Sequence, residues 1–243
     1  MDEILHTTYQ EVEERHWWFV GRRLLIWQLL KKYYGSGKKA VILDVGCNSG
    51  FLVAQLQAAG YDAAGCDISA EAVSYGQNQG RRGLSVCVLP QLHYPNGQFD
   101  AVLCLDTLEH IRDDKLAIRE IGRVLKPGGI AIVTVPAFMF LWGLQDEISH
   151  HFRRYTKKEL LVKIQAAGFS IERVGYFNFF LFPLIYLVRQ AAKIMPLRRR
   201  SDFDINNKLI NYVLKNIFLL EIWLLKIISY PFGVSLLIVA KKK

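Results

Sequence analysis

Three groups of residues in this 243-residue chain have the types and spacing to do chemistry. The first is VILDVGCNSG, Val41 to Gly50, in which Asp44 closes an apolar run and Gly46 and Gly50 bracket a turn holding Cys47 and Asn48. The run reads as a buried parallel strand, and Phe51 to Leu56 after it has helical spacing. A strand, a glycine turn and a helix N-terminus together present backbone N–H groups to an anionic ligand. A dinucleotide turn needs G-x-G-x-x-G, and Asn48 stands where the second glycine belongs, which argues against that ligand. The second group is Asp67, 23 residues beyond Asp44 at the tip of the next strand, with Ile68 beside it. A carboxylate there can accept hydrogen bonds from both hydroxyls of a ribose, while Ser69 is the better cap for the helix that follows.

The third group is rich in histidine: His110 in DTLEHI, and His150-His151 in DEISHHFRRYT with Arg153, Arg154 and Tyr155. An imidazole titrates near neutrality, so His110, His150 and His151 are the candidate general bases. Packing or a supporting hydrogen bond accounts for His110 equally well. Arg153 and Arg154 suit a phosphate or carboxylate on a substrate, or ion pairs with Asp146 or Glu147. Asp106, Glu109 and His110 lie on one turn, and with His150 or His151 they form a mixed carboxylate–imidazole set that a divalent ion could use.

The elements that must position these groups alternate regularly. Strands are predicted at Ala63–Cys66, Leu84–Leu89, Ala101–Leu105, Ile130–Val135, Ser170–Val174 and Val234–Ala240. A helix over Asp113–Leu125 ends at Lys126-Pro127-Gly128-Gly129, and another runs from Thr156, with Glu159 completing a capping box, to Gly168. Residues 4–34 read as two helices hinged at EERHWWFVGRR. There Trp17, Trp18 and Phe19 could cement the helix to the core, or the segment could cap the ligand with Arg22 or Arg23 meeting a carboxylate.

With these residues in place, the chain resembles the class I S-adenosylmethionine-dependent methyltransferases. D-x-G-C-x-x-G, Asp67, the LEHI turn and LKPGG carry the resemblance over roughly residues 40–136, and HWWFVGRR is similar to the N-terminal signature of a subgroup linked to glycan and lipid modification. The resemblance implies an α/β fold: a Rossmann-like, seven-stranded, mostly parallel sheet with an antiparallel last strand and helices on both faces. It also implies S-adenosylmethionine as cofactor, held by Asp44, Gly46, Cys47, Asn48, Gly50, Asp67, Ile68, Leu105 and Asp106, with Arg22 and Arg23 from the cap. An acidic residue often follows the third strand in this family to meet adenine. None occurs between Gly83 and Phe99 here, which leaves backbone groups, Gln91 or apolar stacking. D/E-x-x-E-H arrangements similar to Asp106, Glu109, His110 and His151 occur in ubiquinone-pathway and small-RNA methyltransferases, where a divalent ion holds adjacent hydroxyls. Many relatives with DTLEHI carry no metal, so a metal is not expected.

The domain reading is a helical cap over 1–37 and a core over 38–243, with an apolar helical insertion over 177–232 between the sixth and seventh strands. Hydrophobic residues make up 51% of the chain and the formal charge is +9. FNFFLFPLIYLVRQAAKIM is interrupted by Pro183. In the following segment Asp204, Lys208, Asn211 and Lys215 form a polar stripe, with Leu209, Ile210, Val213, Leu214, Ile217 and Phe218 over the rest. Lys215, Glu221 and Lys226 argue against a membrane span. Helices lying in the membrane interface, with Arg198-Arg199-Arg200 against acidic headgroups, fit better, and a dimer interface is the competing use. The four cysteines, Cys47, Cys66, Cys87 and Cys104, show no C-x-x-C pair and read as reduced core residues. MDEILHTTYQEVEER has no signal-peptide pattern, so the chain is expected in the cytoplasm, on the inner membrane face.

The expectation is therefore O-methylation of an amphipathic or lipid-linked acceptor, such as a glycan, quinone or lipid, at the membrane surface. An RNA methyltransferase rests on the basic charge alone, and no nucleic acid is expected as partner. A non-catalytic membrane protein that keeps the cofactor fold is the third reading.

Overall fold

The computed structural model describes residues 12–35, 40–194 and 207–243. The sequence readings at residues 4–11, at Ser36 and Gly37, at Arg198-Arg199-Arg200 and at Asp204 lie outside them. Among the described residues seven strands form one sheet: β1 (Val41–Val45), β2 (Asp62–Asp67), β3 (Leu84–Val86), β4 (Phe99–Leu105), β5 (Leu125–Pro136), β6 (Phe169–Phe177) and β7 (Ser235–Lys242). Their order is β3-β2-β1-β4-β5-β7-β6, with β7 antiparallel to both its neighbours and the other pairs parallel. This is the Rossmann-like arrangement expected from the sequence.

The apolar runs explain the layers. Ile42, Val102, Leu103, Ile132, Val133, Leu236 and Ile238 are fully buried, as strands covered on both faces must be. One face is covered by α1 (Trp17–Tyr34), α2 (Phe51–Ala58) and α8 (Lys208–Leu224), through Leu25, Ile26, Leu52, Leu56, Phe218 and Ile222. The other face takes α4 (Asp114–Val124) and α6 (Lys157–Ala166), through Ala117, Ile121, Leu160 and Ile164. Asp113 and the Thr156–Glu159 capping box start these two helices. The remaining helices are α3 (Ala70–Asn78), capped by Ser69, α5 (Leu144–Ile148) and α7 (Phe182–Ile194).

Several local expectations change. Trp17 to Arg23 are helical rather than a hinge, because His16 caps the helix with its side chain on the Trp18 N–H. The third strand ends at Val86, and Lys126 to Gly129 form part of β5, where the register with β4 shifts between Phe99 and Ala101. Pro183 does not interrupt a helix; it sits in the first turn of α7, where its missing N–H costs nothing. Cys66 and Cys87, taken as reduced, form a disulfide, because parallel pairing of β2 and β3 brings their Cα atoms to 5.5 Å. Cys47 and Cys104 are free and buried.

The insertion is half core. Asn211, assigned to the polar stripe, turns inward: its Oδ1 accepts from Trp17 N at 2.7 Å and its Nδ2 donates to Arg15 O. Trp18, Phe177 and Phe218 cluster with their rings near parallel, and Gly21 gives Phe218 room, since a Cβ there would lie 2.1 Å from its ring. The aromatics of HWWF thus cement α1 to the insertion helix α8. The opposite face of α8 exposes Leu209, Tyr212, Val213, Leu220 and Trp223. No helix among the described residues is long and apolar enough to cross a membrane.

Candidate active site

The carboxyl ends of β1, β2, β4 and β5 open onto one cavity of about 1190 Å³. At one end lies the glycine turn. Gly46 adopts φ +78°, and an added Cβ would lie 2.3 Å from Thr107 Oγ1, so only glycine fits. Gly46 N and Cys47 N both donate to Cys66 O. Gly50 caps α2 from the left-handed region but does not line the cavity. Asp67 holds the turn with Oδ2 accepting from Asn48 N at 2.8 Å, while Oδ1 accepts from Ser69 N at 2.9 Å. Ser69 Oγ caps α3, leaving the Asp67 carboxylate on the cavity wall. Ile68, Cys87, Leu89 and Pro90 give this end an apolar flank, whereas Gln91 is not among the residues that line it.

Asp44 lies beneath the turn. Burial pushes its carboxyl up to about 7, against the opposing charge of Arg22. Arg22 and Arg23 part company. Arg22 lines the cavity and donates to Asp106 Oδ2 at 2.5 Å and to Leu105 O at 3.3 Å, while its buried Nε has no hydrogen-bond partner. Arg23, proposed from sequence for a ligand carboxylate, is committed to the carbonyls of Glu13 and Glu14 and packs on Phe51. The segment before α1 closes over the turn through the Glu13–Ser49 hydrogen bond, which the sequence did not reveal.

Past Asp106, His110 and His151 meet edge to face with ring centroids 4.5 Å apart, and His150 borders the same space from an exposed position. Burial, then the neighbouring His151, push His110 down to about 4, so it stays neutral near pH 7. Glu109 is buried; desolvation, then Asp106, raise its pKa, and Oε2 has no hydrogen-bond partner. Glu109, His110 and His151 place one ligand atom each within 4.8 Å of one another. Asp106 stands apart, engaged by Arg22 and by Thr134 Oγ1. One carboxylate and two imidazoles fit a borderline divalent ion better than oxygen-seeking Mg²⁺; such an ion would polarise a hydroxyl held there.

The arginines of the histidine loop are structural. Arg154 pairs with the fully buried Asp146 through both carboxylate oxygens, at 2.7 and 2.9 Å. Arg153 pairs with Asp114 at 3.0 Å, not with Asp146 or Glu147, and Tyr155 Oη donates to Asp114 inside the core. His151 Nδ1 lies 2.9 Å from Asp146 Oδ1, a contact the sequence reading missed. Arg189 arrives from α7 to the same carboxylate, 3.2 Å from Oδ2. Beyond it the wall is apolar: Leu181, Leu184, Ile185 and Val188 of the insertion.

Comparison with known proteins agrees with this geometry. Residues 43–133 match the methyltransferase domain family. The ubiquinone biosynthesis O-methyltransferase of Methylococcus capsulatus is 34% identical over 100 residues, covering 39% of this chain and 41% of that one. The match therefore spans about two fifths of this curated relative's length. An S-adenosylmethionine-dependent methyltransferase of Thermotoga maritima superposes with TM-score 0.60 at 17% identity, covering all of both chains. Phosphoethanolamine N-methyltransferase 2 of Haemonchus contortus, solved with S-adenosylmethionine, gives TM-score 0.59 at 18% identity over 89% of this chain and 51% of that one. The chain thus matches a methyltransferase domain over residues 43–133 and has the fold seen in S-adenosylmethionine-dependent methyltransferases.

Proposed function

We propose that this chain methylates a hydroxyl of an amphipathic or lipid-linked acceptor, with a quinone-type phenol or catechol first among the candidates. The observation that carries the proposal is the continuity of the cavity, from Gly46 and Asp67 past His110 and His151 to the apolar side chains of α7. S-adenosylmethionine, when bound, supplies an electrophilic methyl group on a sulfonium. In this reading Asp67 accepts from the ribose hydroxyls, and the spare Nε of Arg22 meets the carboxylate. As the acceptor oxygen bonds to the methyl carbon and the carbon–sulfur bond breaks, its proton passes to one of His110, His150 or His151. The relatives named as ubiquinone biosynthesis O-methyltransferases support an oxygen acceptor of quinone type.

The same reading puts the insertion at the membrane surface. Leu184 both lines the cavity and is half exposed, Leu187 on α7 and Leu209, Tyr212 and Trp223 on α8 are exposed apolar side chains, and the two helices also carry Lys193, Lys208 and Lys215. The decisive experiment incubates the chain with methyl-labelled S-adenosylmethionine and a prenylated catechol in anionic vesicles, with chelator or with Mn²⁺. Label in the catechol is expected. Label in RNA instead, sedimentation with RNA rather than vesicles, or no transfer to any hydroxyl, would overturn this reading. Activity lost with chelator and restored by Mn²⁺ would favour a metal at Glu109, His110 and His151.

A further inference from the structure

We infer that Asp146 is the positioning residue that fixes His151 for proton acceptance, and that the insertion completes the clamp through Arg189. This rests on the hydroxyl-acceptor reading and narrows its base to one histidine. Asp146 sits on α5, its side chain fully buried. Oδ1 receives Arg154 Nε at 2.7 Å and Oδ2 receives Arg154 Nη2 at 2.9 Å, Gly143 N at 2.8 Å and Arg189 Nη1 at 3.2 Å. His151 is tied to it twice, by the backbone N–H on Asp146 O at 2.9 Å and by ring Nδ1 at 2.9 Å from Oδ1.

Two guanidiniums on one carboxylate keep it ionised, and an ionised carboxylate can only accept. His151 Nδ1 must then carry a hydrogen, and the lone pair of the neutral ring lies on Nε2. The carboxylate thereby selects the tautomer and holds the ring, as an orienting acid does for any imidazole base. The ring borders the cavity edge-on to His110, and Phe152 N on Glu109 O locks the loop to the turn after β4. Arg189 comes from α7, 43 residues away in sequence, so a helix outside the methyltransferase domain match helps set the base.

The test is a long-range ¹H–¹⁵N spectrum of the histidine rings in the full chain with S-adenosylhomocysteine bound, the His151 signals being assigned by their loss in His151→Gln. A proton on Nδ1 of His151 is expected in the unaltered chain. In Asp146→Asn the amide oxygen stays with Arg154 and the amide nitrogen turns to the ring, so the proton should move to Nε2. Turnover of the prenylated catechol should fall on the order of 100-fold, with KM for S-adenosylmethionine unchanged. A His151 proton on Nε2 in the unaltered chain would overturn the inference, and that result needs no variant to fold. A folded Asp146→Asn with both tautomer and turnover unchanged would overturn it as well. A hydroxyl that is never methylated, with the Nδ1 proton in place, would count against the acceptor reading and not against the pair.

Discussion

The two ends of the cavity are built by different means. At the end proposed for the cofactor, local geometry does the work: Gly46 at φ +78° and Asn48 at φ 51° form the turn after β1, and Asp67, at the tip of the adjacent parallel strand β2, accepts from two backbone N–H groups. At the end proposed for the acceptor, two distant segments meet on one buried carboxylate: α5 and the loop after it give Asp146, His151 and Arg154, and α7 gives Arg189. The first arrangement is held by backbone bonds and tolerates little change in chain geometry. The second is held by side-chain ion pairs on one buried carboxylate.

The largest effect should come from breaking the packing of α8 on α1, which carries part of the cavity wall at Trp17, Trp18 and Arg22. Phe218→Ala removes the ring that Trp18 stacks on and that Gly21 accommodates, leaving a cavity between α1 and α8. Chemical denaturation should show a loss of about 3–5 kcal/mol; a loss below about 1 kcal/mol would mean that α8 is an appendage rather than part of the core. Asp67→Ala attacks the cofactor end alone. Its cofactor affinity should fall about 100-fold by calorimetry, worth about 2.7 kcal/mol for two charge-assisted bonds. Retained affinity would refute the ribose role.

The pH dependence sharpens the comparison further. Asp44 in the free protein is half ionised near pH 7, and a bound ligand's ammonium or sulfonium favours the ionised form. Ionisation is disfavoured below that value, so S-adenosylhomocysteine affinity should rise with pH, roughly eightfold between pH 6 and 7.5, with proton release on binding. Flat affinity over that range would mean that Asp44 keeps its charge state. The smallest effect belongs to the exposed face: Trp223→Ser with Leu220→Ser should weaken vesicle co-sedimentation several-fold while leaving cofactor affinity unchanged. A shift from dimer to monomer on ultracentrifugation, with vesicle binding intact, would assign that face to a second copy of the chain.

This contrast also explains what the sequence disclosed. Asp44, Gly46 and Asp67, which the structure brings to one cavity, could be grouped from sequence because a turn and a strand repeat fix their separation locally, whereas Gly50, grouped with them, caps α2 away from it. The antiparallel last strand was expected from the family resemblance, and the helical insertion from the length of apolar chain before it. The Asp146 cluster was not legible as a site, because nothing local relates Arg189 to His151; Arg154 was seen only as a choice between a substrate and an ion pair. Arg22 and Arg23 could not be separated from sequence, since one helical step sends the first to the strand ends and the second to the carbonyls of Glu13 and Glu14. The disulfide was missed for a similar reason. Cys66 and Cys87 are 21 residues apart and become neighbours only through the pairing of β2 with β3.

The central claim is that this cavity takes S-adenosylmethionine at its glycine end. Calorimetric titration of the full chain with S-adenosylmethionine and S-adenosylhomocysteine tests it most directly. The account predicts micromolar binding of both, lost in Asp67→Ala. No heat of binding from a folded sample would contradict it, and would leave a membrane-associated protein that keeps the fold without the cofactor.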